Sequence, residues 1–437
     1  MKHIFPDFAY GSGPRAGCWW DETITAPDWP VLRGDLSVDV AIVGGGFTGM
    51  SAALHLAEAG VSVALLEAQT PGWGASGRNG GFCCLGGARL SETAMTRQYG
   101  AHAAAQYWQT EQDAVDLVDG VLARLDLDVD RHSKGETQLA HNARAMAGLR
   151  RKADAGKGAV LTEAMDLAEQ GLNGPFHGAL TTPVGFGLNP RKYLFGLADA
   201  AQKAGAQLFQ NSPVQALGRK KQGHIVSTPR GRVTCDTLLI ATNGYSSDDL
   251  PEWLAARYMP TQSAVLVTRP LTDSELNAQG WTSDQMAYDT RNLLHYFRLM
   301  PDRRFLFGMR GGLLSSAWSE RRVNARVRGD FDAMFPAWKD VESPNHWSGM
   351  VCLSRNQVPF VGPVPDRSGM FAGLAYHGNG VAMGSYCGRL LGDLALGRAP
   401  DGRYPAPMRH QMGRFPFGRA RRVVLPPLYA WLKLLDF

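Results

Sequence analysis

The sequence predicts a mixed α/β chain, in which a dinucleotide-binding parallel sheet is joined to an α+β portion built on an antiparallel sheet. Three observations predict it. A strand, glycine turn, helix, strand and acid follow one another over residues 38–81. Buried apolar strands return late in the chain, near 206–246 and after 345. Between those returns, residues 260–310 alternate in a hairpin pattern.

The first unit reads VDVAIVGGGFTGMSAALHLAEAGVSVALLEAQTPGWGASGRNGG. Val38 to Val43 are an apolar, β-branched run. Gly44, Gly46 and Gly49 follow in G-x-G-x-x-G spacing. Gly44 allows the tight turn, Gly46 lets a pyrophosphate approach backbone, and Gly49 lets helix and strand pack closely. The helix after them, Met50 to Ala59, stops at Gly60. Its N-terminus offers free N–H groups and positive dipole to phosphate. Val61 to Leu66 form a second strand ending in Glu67, which stands about 20 residues on, where an acid can bind a ribose hydroxyl.

Residues 91–131 read as helices, 135–142 (GETQLAHN) as a strand, and 142–170 as a second helical, alanine-rich stretch. Pro190 opens a helix running to about Lys203, stopped by Gly205. Residues 206–214 and 233–246 are strands that complete the first sheet, which makes the nucleotide unit discontinuous. Residues 292–312 form a hairpin turning at Pro301-Asp302, and 322–339 form a helix. Strand, glycine loop and helix return after 345. The boundaries expected are an N-terminal arm at 1–35, a nucleotide unit at 36–90, 181–250 and 345–400, a second unit at 91–180 and 251–344, and a tail at 401–437.

The 437 residues are 44% hydrophobic, enough for a large core. A net charge of +5 with no lysine-rich block does not point to nucleic acid. The six cysteines are scattered, with no C-x-x-C pair, which argues against a disulfide framework or a metal site and for a reducing cytoplasm. MKHIFPDFAYGSG has no apolar core of a secretory signal, and no stretch is apolar enough to predict a membrane span.

Five motifs carry a family resemblance over roughly residues 15–400. They are DVAIVGGGFTG…LLEA, GWGASGRNGG (72–81), GLNPRKYLFGLADAAQKAGA (187–206), LLIATNGYS (238–246) and AGLAYHGNGVAMGSYCGRLLGDL (372–394). The chain resembles the FAD-dependent D-amino-acid oxidase superfamily, which includes glycine and sarcosine oxidases, and is most similar to its γ-glutamylputrescine oxidase branch. The resemblance implies a glutathione-reductase-type, Rossmann-like FAD domain with a discontinuous substrate domain. It implies FAD contacts from Gly44, Gly46, Phe47, Thr48, Gly49, Glu67 and Ala68 in the opening motif. Gly74, Ala75, Ser76, Arg78, Asn79, Gly80 and Gly81 would wrap the pyrophosphate and the flavin side. Val214 would meet the adenine through its backbone. Ala241, Thr242 and Gly244 would contact the FAD spine. Gly378, Asn379, Gly380 and Val381 would face the flavin N1–C2=O edge, where N–H donors and helix dipole stabilise the negative charge of the reduced ring.

Tyr296, Arg298 and His377 are the candidate catalytic residues. Period-two geometry places Tyr296, Arg298 and Met300 on one face of the hairpin that would roof the flavin. Arg298 or Arg310 could hold a substrate carboxylate. Two departures from the family stand out. His377 lies two residues before Asn379, where many relatives carry histidine. No lysine occurs between Lys221 and Lys339, the span where sarcosine-oxidase relatives place one over the flavin to promote reaction with oxygen. Cys352 lies near the stretch where those relatives attach flavin covalently, and noncovalent FAD is expected. The expected reaction is oxidation of a C–N bond of a small amine or amino acid, with oxygen as acceptor. Two alternatives stand beside it: a flavin amine dehydrogenase with a quinone or other carrier as acceptor, and a nicotinamide-dependent Rossmann dehydrogenase. The sequence leaves the amine and the oligomeric state open.

Overall fold

A computed structural model describes residues 1–154 and 158–436. Residues 155–157, inside the stretch read as helical, and Phe437 at the end of the tail lie outside the described residues.

Two eight-stranded sheets organise the molecule. At the centre of the first, Gly34–Val43 pairs in parallel with Gly231–Ile240 on one side and Val63–Leu66 on the other. Gln207–Phe209 extends it beyond Val63–Leu66, and Met370–Leu374 extends it beyond Gly231–Ile240, both in parallel. Phe360–Pro363 closes that edge antiparallel. Val63 to Leu66 are buried at every position, the continuous apolar pattern of a sheet covered on both faces. The helices Phe47–Glu58, Pro190–Lys203 and Ala382–Ala395 supply much of one cover, and their apolar sides meet in one core with Ile42, Leu65 and Leu239.

The second sheet runs Asn345–Ser354, Tyr258–Val267, Phe305–Arg310, His295–Leu299, Met286–Asp289, Glu136–Leu139, Gly178–Thr182 and Val160–Glu163. All neighbours are antiparallel except Met286–Asp289 with Glu136–Leu139. The hairpin pairs Leu299 with Phe305, placing Pro301 and Asp302 at the turn. One hairpin face sends Phe297, Phe305 and Phe307 into an aromatic core with Trp281, Phe331, Phe335 and Trp338. Tyr296 and Arg298 point the other way, toward the glycine motif at 80–81.

The structure corrects several expected elements. Among the described residues of 142–170, the α-helix is Ala143–Asp154, a short 3-10 helix lies at Ala164–Asp166, and Val160–Glu163 is an edge strand of the second sheet. The strand expected at 206–214 is only Gln207–Phe209. A hairpin, Ala216–Arg219 with His224–Ser227, was not anticipated and pairs onto Gly231–Ile240. The helix expected from 322 begins at Ala317, capped by Ser316, and ends at Met334 before Pro336. Residues 345–354, assigned from sequence to the nucleotide unit, pair along their whole length with Tyr258–Val267 in the second sheet. Strand composition says nothing about which sheet a strand joins, because both offer the same backbone ladder.

Candidate functional site

The site lies where the C-terminal ends of the parallel strands face the second sheet. One cavity of about 430 Å³ runs from Val214 and Glu67 to Tyr296 and Arg310. Ligands bind parallel α/β sheets at that end, where helix N-termini converge.

Two helices present uncapped N-termini to the cavity. The first starts after Gly46, whose position carries no side-chain cap. A Cβ on Gly46 would lie 2.8 Å from Ser76 Oγ, so the glycine keeps this space open. Ser76 Oγ accepts the Phe47 N–H at 3.0 Å, pinning the second glycine motif to the helix start. Glu67 accepts the Gly45 N–H and the Gln69 N–H, each at 2.9 Å. Its carboxyl is pushed up by burial, against these backbone donors. Gly49 does not line the cavity. A Cβ there would sit 2.0 Å from Gly44 O, so its role is helix-to-strand packing.

The second helix, Ala382–Ala395, also lacks a side-chain cap. It opens from Gly378, Asn379, Gly380 and Val381, all on the cavity wall. Asn379 Nδ2 donates to Leu85 O at 2.5 Å and to Cys84 Sγ at 3.3 Å, locking this loop against residues after the second motif.

Arg78 is buried, donating to Tyr245 Oη at 2.6 Å and to Ser348 O at 3.1 Å. Its guanidinium lies 4.6 Å from the Trp73 ring centre, while its Nε has no partner. Asn79 Oδ1 accepts the Gly81 N–H at 2.8 Å, holding the loop shape. Phe47, Thr48, Ala68, Gly74, Ala75, Gly80, Val214, Ala241 and Thr242 also line the cavity. Gly244 and Gly81 do not. Gly244 packs under Met350 and Cys352, and Gly81, at φ +72°, approaches Leu188 O too closely for any Cβ. The N-terminal arm adds Met1, His3 and Tyr10 to the wall, a contribution the sequence did not suggest.

The expected catalytic set divides. Tyr296 lines the cavity, its hydroxyl 2.9 Å from Ser263 Oγ. Arg298 is corrected: it is 0% exposed and does not line the cavity. It lies 2.8 Å from both His132 Nε2 and Leu188 O, so it joins elements rather than facing a substrate. Arg310 stands in the cavity instead, donating to His377 O at 2.8 Å. His377 also lines the cavity, with its ring nitrogens turned to the backbone. Its Nδ1 lies 2.7 Å from Gly87 O and its Nε2 accepts the Ser354 N–H at 3.1 Å, so both nitrogens are engaged. Burial lowers it to about 4, keeping it neutral. Two wall residues were missed, Glu136 and Tyr288. An acid opening an otherwise buried strand was the available signal, because buried acids need partners or a task.

The glycine cradle, the two uncapped helix starts and the buried Arg78 fit an extended, pyrophosphate-bearing dinucleotide. The DAO family, described as FAD dependent oxidoreductase, matches residues 39–394. The chain belongs to this family. It is therefore an FAD-dependent oxidoreductase, and the nicotinamide alternative falls away. It is 30% identical to the probable oxidoreductase OrdL of Rhizobium meliloti, covering 96% of this chain and 97% of that one. It is also 30% identical to the gamma-glutamylputrescine oxidoreductase of Escherichia coli, over 90% of this chain and 91% of that one. Among solved structures, glycine oxidase from Geobacillus kaustophilus aligns with a TM-score of 0.71 at 21% identity, covering 86% of this chain and 99% of that one. No helix among the described residues is long and apolar enough to cross a membrane.

Proposed function

We propose that the protein oxidises the C–N bond of a small amine that also carries a carboxylate, such as a γ-glutamylated amine or an amino acid. Bound FAD would accept the substrate's hydride at N5, leaving an imine that water hydrolyses, and oxygen would take the electrons as hydrogen peroxide.

The observation that carries this reading is the pairing, in one cavity, of the dinucleotide cradle with the half-buried cation Arg310. The Gly46 and Ser76 region would hold the pyrophosphate on the first helix N-terminus. The loop Gly378–Val381 would present donors and dipole to the flavin edge that gains charge. Tyr296 would close the cavity over the ring, and Arg310 would hold the substrate carboxylate through its fork of donors. Burial lowers Arg310 to about 10, and no carboxylate of the chain pairs with it among the described residues. It is therefore a cation in search of an anion. The cysteine thiols, Cys352 on the cavity wall included, are all pushed up by burial, Cys352 to about 12. None has the lowered thiol of a reactive cysteine, which supports noncovalent FAD. The six cysteines are unpaired, which suits a reducing cytoplasm.

One observation favours the second acceptor. The tail helix Leu425–Leu435 leaves Leu428, Trp431, Leu434 and Leu435 exposed, a surface suited to a carrier or a membrane. The experiment is anaerobic addition of γ-glutamylputrescine, putrescine, sarcosine, glycine and D-alanine to the purified holoenzyme. Bleaching of the flavin bands by a carboxylate-bearing amine is expected, with colour returning on admission of air. Bleaching that air does not reverse, but a soluble quinone does, would replace oxygen by a carrier. No bleaching by any of these amines would overturn the reading.

A further inference from the structure

We propose that Glu136, with Tyr288 beside it, forms a subsite for a cationic nitrogen of the substrate and takes the proton which that nitrogen gives up before oxidation. The inference rests on the cavity being the site of amine oxidation.

Glu136 opens the strand Glu136–Leu139 of the second sheet and is 7% exposed. What remains of its surface belongs to the cavity wall, which it shares with Tyr288, Arg310 and Asn379. Tyr288 lies on the neighbouring strand and donates its hydroxyl to Oε1 at 3.0 Å. Oε2 has no hydrogen-bond partner. Glu136 therefore has Oε1 held by Tyr288 and Oε2 outside any formed hydrogen bond, with the Cys84 thiol and the Leu85 amide as donors beside the carboxyl. Leaving a buried carboxylate oxygen in that state is costly, and a structural acid would be expected to have both oxygens satisfied.

The charges of the cavity point to the same ligand. Among the described residues, neither Glu136 nor Arg310 takes part in an ion pair, with each other or with any other side chain. One buried anion and one half-buried cation thus face a common space, each without an ion-pair partner among the described residues. A ligand with a carboxylate at one end and an ammonium at the other neutralises both, and only the ammonium end suits Glu136. Asn379 ties this end of the cavity to the loop that opens the Ala382–Ala395 helix, through its bonds to Leu85 and Cys84.

The proton inventory is compatible with transfer. Burial raises the Glu136 carboxyl to about 7, opposed by the Tyr288 hydroxyl, the Cys84 thiol, the Leu85 amide and Lys152. Burial first, then the neighbouring Glu136 charge, raises Tyr288 and Cys84, so neither competes for the proton as an anion. An ammonium donates one proton to the ionised carboxylate, giving a neutral amine and a carboxylic acid. The neutral amine is the form from which hydride can leave.

The test uses the holoenzyme and three variants. Glu136→Gln keeps the shape and removes the charge. It is expected to lower kcat/KM for the amine by about 10- to 100-fold, the worth of a charge-assisted bond, and to abolish the rise of kcat/KM through about pH 7. Glu136→Asp should restore part of both. Tyr288→Phe removes a donor to the charged form, so the rise should move to higher pH; this variant carries the test if Glu136→Gln does not retain FAD. Binding of butyrate to the oxidised enzyme, followed by the flavin bands, should not change, because butyrate engages Arg310 alone. An unchanged rate and pH profile in Glu136→Gln would overturn the subsite. If no amine reduces the wild-type flavin, the proposed reaction fails separately, and ligand binding decides. Tighter binding of 4-aminobutyrate than of butyrate, lost in Glu136→Gln, would support the subsite, and equal binding in the wild type would overturn it.

Discussion

Arg298 and Arg310 are twelve residues apart on the two strands of one hairpin, yet their surroundings give them different work. Arg298 meets His132 and the Leu188 carbonyl, with the Trp20 and Phe82 rings 5.7 Å from its guanidinium. Arg298→Ala should therefore destabilise the fold by about 3 kcal/mol, since it leaves buried polar groups unpaired. Thermal unfolding should record that loss, with the KM for a carboxylated amine unchanged. Arg310→Ala should do the reverse, raising that KM about 100-fold with a small change in melting temperature. His377 and His132 give a pH signature. Burial lowers them to about 4 and about 3, below the 6.5 of an unfolded histidine. The folded state then binds fewer protons than the unfolded one. The stability each contributes is present above pH 6.5 and is lost as pH falls from there toward the folded value. Urea unfolding between pH 8 and pH 4 should show this as a falling midpoint, with a shallower fall in His377→Gln.

At the scale of elements, glycines and caps do the positioning. Gly46→Ala brings a methyl within 2.8 Å of Ser76 Oγ, the atom that holds the Phe47 amide. The variant should fold with an unchanged circular dichroism spectrum and lose FAD affinity by at least about 10-fold, measured by flavin retention on dialysis. The helix Pro190–Lys203 is fixed by Asn189, whose side-chain oxygen accepts the Arg191 and Lys192 amides while its nitrogen donates to Thr23 and Asp130. Asn189→Ala should cost about 1–2 kcal/mol, read as a lower melting temperature. The hairpin Ala216–Arg219 with His224–Ser227 went unseen because its strands are short, partly polar and broken by Gly218 and Gly223. Its stability comes from the ladder onto Gly231–Ile240, not from its own sequence.

Across the whole molecule, a buried ion pair ties the tail to the segment after Gly231–Ile240 and, through Tyr258, to the second sheet. Arg421 is 0% exposed, pairs with Asp248 at 2.7 Å, and donates to the carbonyl of Tyr258, where the second sheet begins. Asp248→Ala strands that guanidinium in the interior and should cost about 3–5 kcal/mol, visible as a large drop in the unfolding midpoint. The tail helix that follows packs against the loop before His295–Leu299. Asp436 accepts the Asn292 amide at 2.9 Å, and Tyr429 lies near Arg310 and Arg89.

The sequence by itself determined the parallel sheet, its glycine turn, the helix from Pro190 and the hairpin at Pro301. Each of these is written in local spacing: a period of two or 3.6, a glycine where the backbone must approach, a proline where a helix must start. It also marked the two glycine-rich helix starts that line the cavity, because helix N-termini and glycine loops are contiguous in the chain. Only the tertiary structure decided which hairpin arginine faces the cavity, that both nitrogens of His377 are engaged, that residues 345–354 join the second sheet, and that Glu136 lines the same cavity as Arg310. Those outcomes depend on partners distant in the chain, His132 for Arg298 and Gly87 for His377 among them. Burial and counter-ions are properties of neighbours in space, and local spacing carries no record of them.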